Sequence, residues 1–586
     1  MTVDRGRPNA DERVPVGPIG RMRAMLRSLL RMHVDKSAAR ILLVALAFGA
    51  VYLAIAGRLV AIGLMGEERG SAHRASEVVA SNPRPDILDR NGEILATDLQ
   101  AVSVFAEPNK LVDKDEAVEL ITSVLPDLDA RALREKFSKR KGFVWVKRDI
   151  TQAQRDEIYH LGLPGVGFLD EKRRIYPNGN AAAHVLGAVN TDNIGIAGIE
   201  KYIDAHGLDA LREAGLPMTA ESLKPVQLSL DLHAQHALRD ELQKGMERYK
   251  AKAAGAAIMN VRTGEVIAMV SLPDFDPNKP ADALDPNNIN RMTVGVFEMG
   301  STYKALTTAM ALDAGKITLN SSFDTRSNLR YGKFTIHDYH ATGRILTVPE
   351  IFLHSSNIGT AKEALTVGVE GHKAFLKKAG QLDRMRTELE SAEPLYPKHW
   401  GELNTVTIAF GQGIAVAPLQ AAMAVCALVN GGHLETPTFL RRSEAEALAQ
   451  SSQLVKPETS EAMRYILRLN AEKGTGKAAD VPGYFVGAKT GTAQKVIHGR
   501  YSNTKNFATF TAILPADKPK YMILIVYDEP QGTAETHGFA TAAWNAGAVT
   551  GRVIDRIAPI LGVPPRFDQP QLPFPRLAQA GAGTKP

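Results

Sequence analysis

The hydrophobic pattern is strongest near the N-terminus, where residues 41–65 are uncharged except for Arg58. About 20 apolar residues cross the core of a bilayer, so this stretch predicts one transmembrane helix. Basic residues crowd the segment before it, which predicts that residues 1–40 form a cytoplasmic tail and that the rest lies outside. A secretory signal cleaved after the small residues at 54–56 is the alternative. We favour an uncleaved anchor because the apolar stretch continues past that point.

Residues 66–222 mix short strand and helix patterns without any catalytic spacing. A strand, an Asn-Gly turn and a second strand are predicted over residues 86–96. Amphipathic helices are predicted over 116–125 and 130–137, and a glycine-punctuated loop over 195–200. We interpret this region as a non-catalytic pedestal or dimerisation domain, with a spacer that binds no partner as the alternative.

Strand patterns return at both ends of residues 223–563, with helical patterns between them. The continuously apolar segment 522–526 is typical of a central strand buried on both faces. This order predicts an α+β domain with a mainly antiparallel sheet that the C-terminal segment completes. Residues 564–586 are rich in proline, glycine and alanine, and we expect a disordered tail. The predicted elements are strands over 256–261, 265–271, 484–496, 507–514 and 521–527, a helix over 234–249, and a closing helix with Ala546, Val549, Val553 and Ile557 on one face.

Composition excludes some classes of function. The 586 residues carry a net charge of +6, and much of the positive excess lies before the apolar segment, so we expect no nucleic-acid binding. The single cysteine, Cys426, excludes an intramolecular disulfide, and its apolar neighbours predict a buried structural thiol. None of the 15 histidines falls in a metal-ligand spacing, so the sequence gives no indication of a metal site.

Ser301 and Lys304 form the first of three short motifs with chemical meaning. A helix is predicted from Thr302 to Asp313, with Leu306 and Met310 facing inward. Ser301 at its N-terminal end would lie where free N–H groups favour developing negative charge. Lys304 lies one turn later on the same face and can take the Ser301 proton when burial keeps it neutral. A helix-capping serine followed by a solvated lysine is the alternative for this motif alone.

The second motif is Ser355-Ser356-Asn357. Thr347 and Glu350 form a capping box for a short helix that ends just before it. The Ser355 hydroxyl and the Asn357 amide can then face one cleft. Ser355 can relay a proton to or from a leaving amine, while Asn357 can hold a substrate amide. Helix capping by the same residues is the alternative.

The third motif, Lys489-Thr490-Gly491-Thr492, lies on a predicted strand. Alternation would point Lys489 and Gly491 to one side, and Thr490 and Thr492 to the other. A cation and hydroxyls suit a substrate carboxylate, and a strand glycine allows close approach of a ligand backbone. The Thr492 N–H, paired with that of Ser301, can form an oxyanion hole. An ordinary polar edge strand is the alternative.

The three motifs in this order match a signature of β-lactamases and penicillin-binding proteins. Beyond the motifs, residues 41 to about 560 resemble the class B penicillin-binding proteins, and length, anchor and segment 528–531 are most similar to the septal, cell-division member. The other similar segments are 84–93, 173–177, 195–200, 267–269 with Pro273, 290–291, 411–413 and 418–420. The resemblance implies a penicillin-binding/β-lactamase-like α+β transpeptidase domain on the strand-containing pedestal, behind one transmembrane helix.

The resemblance further implies a serine-type peptidoglycan D-Ala-D-Ala transpeptidase. Ser301 would attack the stem peptide with Lys304, Ser355 and Asn357 in catalytic roles, while residues 489–492 bind substrate. It implies no cofactor or metal, β-lactams as covalent inhibitors, and as partners a membrane-embedded glycosyltransferase and other division-complex proteins. It also implies a single-pass protein of the bacterial inner membrane at the division site, with its N-terminus cytoplasmic and its catalytic domain periplasmic.

Several other functions remain open from the sequence. An elongation-type transpeptidase is the nearest. A β-lactamase shares the motifs, but Trp400 stands where the loop ending in Glu402-Leu403-Asn404 would need a deacylating glutamate, so we expect slow hydrolysis. A β-lactam sensor and a carboxypeptidase are the remaining alternatives. Residues 474–477 only superficially resemble a phosphate-binding loop, and we expect a flexible turn there.

Overall fold

The chain divides after Val78 into two structural units. In the first, residues 44–60 form a helix with exposed side chains. Within the described ranges, no helix has the length and apolar character needed to span a bilayer. The predictions for residues 1–40, for the ends of the 41–65 segment and for residues 568–586 concern residues that the structure does not describe. The computed structural model describes residues 44–60, 83–140, 142–208, 223–497 and 499–567.

The N-terminal part of the second unit is built around one long strand. β1 and β2 form the predicted hairpin, with Ile87 opposite Ala96. Strand β2 also pairs antiparallel with β3 and β4, while β1 pairs in parallel with β7, a strand of the following domain. The prediction of a loop over 195–200 is wrong, because a short strand and the first turn of a helix occupy it. The strands are β1 (Ile87–Leu88), β2 (Ile94–Ala106), β3 (Val144–Ile150), β4 (Val166–Ile175), β5 (Ala188–Val189), β6 (Gly195–Ala197) and β7 (Val226–Gln227).

Both amphipathic helices predicted for this region are confirmed. Each begins after an aspartate whose side chain accepts hydrogen bonds from the first turn, Asp113 for α1 and Asp129 for α2. The helices pack on the apolar face of the sheet, where Val118, Ile121 and Phe137 are buried. The helices are α1 (Lys114–Val124), α2 (Ala130–Lys139), α3 (Gln152–His160), α4 (Ala183–Leu186) and α5 (Gly198–Ile203).

A buried ionic network ties the remote segments of this domain together. Glu200 accepts hydrogen bonds from Arg84 and Arg174, each at 2.7 Å, and all three side chains are fully buried. Arg84 also pairs with Asp204 at 2.7 Å, and Arg174 with Asp98 at 3.1 Å. Arg84, Arg174 and Glu200 come from three of the segments that carry the family resemblance, so the network joins those segments in one buried charge cluster.

The domain that follows residue 222 is built on a five-stranded antiparallel sheet, as predicted. The strand order β16-β17-β18-β8-β9 puts the C-terminal strand β18 in the centre and β16 at one edge. Every residue of β18 is buried, which confirms the two-sided burial expected of segment 522–526. The sheet strands are β8 (Ala253–Asn260), β9 (Val266–Leu272), β16 (Gly487–Ile497), β17 (Arg500–Leu514) and β18 (Tyr521–Asp528). Short strand pairs lie outside it, β10 (Ser322–Asp324) with β13 (Ile345–Thr347), β11 (Leu329–Tyr331) with β12 (Phe334–Ile336), and β14 (His433–Leu434) with β15 (Ser452–Gln453).

The sheet separates two apolar layers because its side chains alternate. Ile258 and Ile523 join the layer formed by α6 and α15, whereas Met259 and Leu524 join the layer under the remaining helices. Cys426 is buried, as predicted, and burial raises the pKa of its thiol. The helices are α6 (Leu232–Arg248), α7 (Tyr303–Asp313), α8 (Val348–Leu353), α9 (Asn357–Val367), α10 (Val369–Lys378), α11 (Glu402–Ala409), α12 (Pro418–Ala427), α13 (Glu444–Gln450), α14 (Pro457–Lys473) and α15 (Ala546–Ile560).

The ionic network predicts a large effect of Glu200→Gln. The substitution keeps the side-chain shape but leaves two buried guanidinium groups without their shared carboxylate, which costs about 3 kcal/mol of local stability. Amide hydrogen exchange in β2 and β4 measures this loss. Glu135→Gln is the control, because its partner Lys139 and Glu135 itself are both exposed, and its expected cost is below about 0.5 kcal/mol. Equal exchange in the two variants would contradict the importance of the network.

Candidate active site

Ser301 lies in a tight turn that leads into a buried helix. A 3-10 turn, Gly300–Thr302, precedes α7, so the α-helix starts one residue later than predicted. With three residues per turn, Ser301 and Lys304 lie on one face of this start. Ser301 is half-buried and open to solvent, whereas every residue of α7 up to Leu312 is buried. Leu306 and Met310, predicted as the inward-facing residues, therefore belong to a helix that is buried on all sides.

Lys304 is buried and its ammonium group reaches the second motif. Its Nζ donates to the Ser355 carbonyl and, at 3.1 Å, to the Ser355 hydroxyl. Burial lowers the pKa of Lys304 to about 7, against the opposing effect of the Asp338 and Glu363 carboxylates. Among the described residues, no hydrogen bond joins Lys304 to the Ser301 hydroxyl. The Lys304 ammonium group bonds instead to Ser355; catalytic hydrogen bonds often tighten only when substrate is bound.

Ser355 is held in an unusual backbone conformation between two helices. The capping box of Thr347 and Glu350 starts α8, as predicted. Ser355 then follows with φ of +51°, a left-handed conformation that costs a non-glycine residue free energy. Ser356 caps α9 by accepting from the Gly359 N–H at 2.9 Å. The turn therefore serves both helix capping and side-chain placement.

Asn357 begins α9 but makes no hydrogen bond with Ser355 within the described part of the chain. Its Nδ2 donates to the His337 carbonyl at 3.0 Å. The next residue, Asp338, accepts from the Ser356 hydroxyl at 2.7 Å and from the Ile358 N–H at 3.0 Å. The loop at 337–338 therefore fixes the whole second motif from outside it.

Lys489 approaches the same hydroxyl group from the sheet. It is fully buried in β16, and its Nζ donates to the Ser355 Oγ at 3.1 Å and to the Thr490 carbonyl at 2.9 Å. The ammonium group also lies 5.5 Å from the centre of the Phe352 ring. Burial, and secondarily the charge of Lys304, holds the pKa of Lys489 well below its usual range. Two lysines from distant motifs therefore share Ser355.

The remaining residues of the third motif alternate as predicted. A Cβ on Gly491 would lie 2.7 Å from the Met299 carbonyl and 2.7 Å from the Thr302 hydroxyl, so only glycine lets β16 approach the Ser301 turn. The threonines make other contacts. Thr490 bonds to the Thr475 hydroxyl at 2.9 Å, and Thr492 Oγ1 accepts from the Ala542 N–H at 3.2 Å.

The turn over 474–477 is confirmed, and its Thr475 reaches the strand of the third motif. Asn470 stabilises the turn, since its backbone carbonyl accepts from Gly474 N at 2.9 Å and from Gly476 N at 3.2 Å. The turn therefore supports the strand of the third motif and does not form a phosphate-binding loop.

Three residues near the lysines went unnoticed in the sequence. Phe352 faces Lys489, Asp338 anchors the Ser355 turn, and Glu363 is a fully buried carboxyl group on α9. Phe352 and Asp338 fit ordinary helix and loop patterns. Glu363 could have been found from the sequence, because it is an acid at helical spacing from Thr360 and Ala364. All three residues are buried on α9.

Comparison with known proteins identifies two domains in the chain. The model of the penicillin-binding protein transpeptidase domain matches residues 254–547, and that of the penicillin-binding protein dimerisation domain matches residues 80–206. The crystal structure of penicillin-binding protein 3 from Mycobacterium tuberculosis, complexed with aztreonam, is similar with a TM-score of 0.63 at 24% identity, covering 84% of this chain and 98% of that chain. At this identity the likeness supports the fold.

Curated relatives are similar over most of their length. The probable peptidoglycan D,D-transpeptidase FtsI of Caulobacter vibrioides is 40% identical over 491 residues, 82% of each chain. The peptidoglycan D,D-transpeptidase FtsI of Escherichia coli K12 is 29% identical over 81% of this chain and 84% of its own. Stage V sporulation protein D of Bacillus subtilis is 31% identical over 90% and 87%. The chain therefore belongs to the penicillin-binding protein family, as a serine D,D-transpeptidase with a dimerisation domain and a transpeptidase domain.

Proposed function

We propose that this transpeptidase cross-links peptidoglycan at the division septum, with Ser301 as its nucleophile. The observation that carries the site assignment is the meeting of Lys304 and Lys489 at the Ser355 hydroxyl, with half-buried Ser301 in the turn that leads into the helix of Lys304. The similarity to the FtsI of Caulobacter vibrioides supports the septal role.

Acylation begins when Ser301 Oγ attacks the carbonyl carbon of the D-Ala-D-Ala amide. Lys304, neutral for part of the time because of its burial, accepts the hydroxyl proton. The C–N bond then breaks, and the terminal D-Ala leaves with a proton on its amine. The acyl group then passes from Ser301 to an amine of a neighbouring strand, and this new amide bond is the cross-link. The proton that the amine loses restores the Ser301 hydroxyl.

Ser355 is the relay between the two lysines and the leaving amine. Its hydroxyl accepts from Lys304 and Lys489 when both are ammonium ions, and it can donate to Lys304 once that group is neutral. The proton taken from Ser301 can thus reach the leaving amine through Ser355. Lys489 fixes the orientation of this hydroxyl from the opposite side, and its predicted contact with a substrate carboxylate stays a prediction.

The edge position of β16 supports binding of an extended substrate. An edge strand presents unpaired backbone groups along one side, and a peptide can add to it as a further strand. The N–H groups of Ser301 and Thr492 would hold the oxyanion, because Gly491 brings the two segments together. Asn357 would hold the substrate amide.

The family and the sequence support a proposal for localisation and partners. We propose a single-pass protein of the inner membrane, with a cytoplasmic N-terminus and a periplasmic catalytic domain. A membrane-embedded glycosyltransferase and other division-complex proteins would be its partners, and β-lactams would acylate Ser301. The solved complex of the mycobacterial penicillin-binding protein 3 with aztreonam supports the last point.

Ser301→Ala is expected to abolish covalent labelling by a fluorescent penicillin, because it removes the attacking oxygen. Labelling is read after denaturing gel electrophoresis of the purified full chain. Ser452→Ala, an exposed serine in β15, is the control and should label like the wild type. Persistent labelling of the Ser301 variant would assign the nucleophile elsewhere.

The acylation rate is expected to fall with decreasing pH around pH 7. The pKa of Lys304 is lowered to about 7, so the neutral base is the major form above this pH and is lost below it. Lys304→Ala should slow acylation by about two orders of magnitude or more at pH 8. Exposed Lys316 gives the control variant Lys316→Ala. A rate that does not depend on pH between 6 and 8, or a change below about threefold in Lys304→Ala, would contradict the assignment of the base.

A fluorescent fusion of the full chain is expected to concentrate at midcell in dividing cells, because the septal role requires it. The measurement is the ratio of midcell to side-wall fluorescence. A fusion of a known side-wall membrane protein gives the baseline. Uniform side-wall fluorescence would favour the elongation-type transpeptidase instead.

A further inference from the structure

Glu363 is a buried acid that the proposed mechanism does not use. It lies on α9 with 0% exposure, and its Oε2 accepts from the Thr308 hydroxyl at 2.7 Å. Its other oxygen, Oε1, is buried and has no hydrogen-bond partner in the described part of the chain. Burying a carboxyl group with one unsatisfied oxygen costs free energy, and a leucine or glutamine would avoid the charge.

The position of Glu363 relates it to Lys304. Thr308 follows Lys304 by four residues on α7, so both side chains lie on one face of that helix. α9 packs against this face and brings the Glu363 carboxyl group to Thr308. The carboxyl group and the Lys304 ammonium group interact electrostatically, each favouring the charged form of the other.

We propose that Glu363 is a positioning residue for acyl transfer, whose buried carboxyl group controls how readily the Lys304 ammonium group gives up its proton. The proposal rests on the role of Lys304 as the base of the proposed function. When Glu363 is ionised, its negative charge holds the proton on Lys304. When Glu363 is protonated, that hold disappears and Lys304 becomes available as a base.

The groups around the pair support this coupling. Burial raises the pKa of Glu363 to about 8, while the Thr308 hydroxyl and the Lys304 charge act against that rise. Lys304 is influenced by Asp338 as well as Glu363, and the charge of Lys304 acts in turn on Lys489. Asp338 is itself bound to Ser356 and to the Ile358 N–H, so it is committed to the Ser355 turn. Glu363, in contrast, bonds through its side chain only to Thr308 in the described part of the chain, and Glu363 and Lys304 each favour the charged form of the other.

Replacing Glu363 by glutamine should simplify this titration and move it. Without the carboxylate charge, the Lys304 ammonium group is less stable, so the acid limb of the acylation rate moves to lower pH. The expected movement of the midpoint is roughly 0.5 unit, whereas at pH 6, where burial keeps Glu363 protonated in the wild type as well, the two rates relative to the plateau should agree. A purely structural effect would lower the plateau and leave the midpoint in place.

Penicillin acylation of the purified full chain should be measured from pH 5.5 to 9 for the wild type and for Glu363→Gln. Thr308→Val is the second variant, because it removes the hydrogen bond that favours the Glu363 carboxylate and should move the midpoint in the same direction by less. Thr307→Val is the matched control, since this neighbouring buried hydroxyl bonds to the Ala409 carbonyl instead. Its midpoint should stay at the wild-type value.

A direct titration separates this proposal from the role of Lys304 in catalysis. The 13C shift of the Lys304 ε-carbon, assigned by its loss in Lys304→Ala, reports the lysine without any reaction. A lower midpoint of this titration in Glu363→Gln supports the coupling. An unchanged acylation rate in Lys304→Ala would refute the role of Lys304 as the base, but it would leave the coupling standing. Midpoints that agree within about 0.2 unit in both the kinetic and the NMR titration would overturn the proposal.

Discussion

The site depends on one electrostatic constraint, the burial of two lysines against a single hydroxyl group. Lys304 and Lys489 each lie 3.1 Å from Ser355 Oγ, and both lysines are buried. Two positive charges this close in a low-dielectric environment repel each other, and each also loses its hydration. The site therefore favours states in which at least one lysine is neutral, which is the condition a lysine must meet to act as a base.

The fold meets this constraint by fixing each lysine to a different rigid element. Lys304 belongs to a helix buried on all sides, and Lys489 to a strand of the main sheet. Ser355 sits between them on a turn that a capping box, an N-cap and Asp338 hold in a left-handed conformation. Close backbone approach completes the arrangement. A Cβ on Gly411 would lie 2.1 Å from the Gly300 carbonyl, so the 411–413 segment closes on the turn that carries Ser301.

The sequence predicted the elements whose signals are local. The 86–96 hairpin, the capping box at Thr347, the central strand at 522–526 and the alternation around Gly491 each depend on neighbouring residues. What it missed depends on long-range contacts. The bond between Lys304 and Ser355 joins residues 51 positions apart in the chain. The segment 195–200 looked like a loop because its glycines masked a short strand and a helix start that pack around buried Glu200.

Stability alone does not explain these buried charges. Replacing a buried charged group by a well-packed apolar side chain often stabilises a protein. The fold would therefore be more stable with apolar residues in place of Lys304, Lys489 and Glu363. The charges of the pedestal differ, because Glu200 bonds to two arginines and each ion there has a partner. Near Ser355, two lysines share one neutral oxygen, and buried Glu363 has an oxygen without a hydrogen-bond partner within the described part of the chain. These buried charges are poorly balanced by partners in the resting state. Transfer of a proton between Ser301, Lys304 and Ser355 changes those charges, and acyl transfer requires this proton transfer.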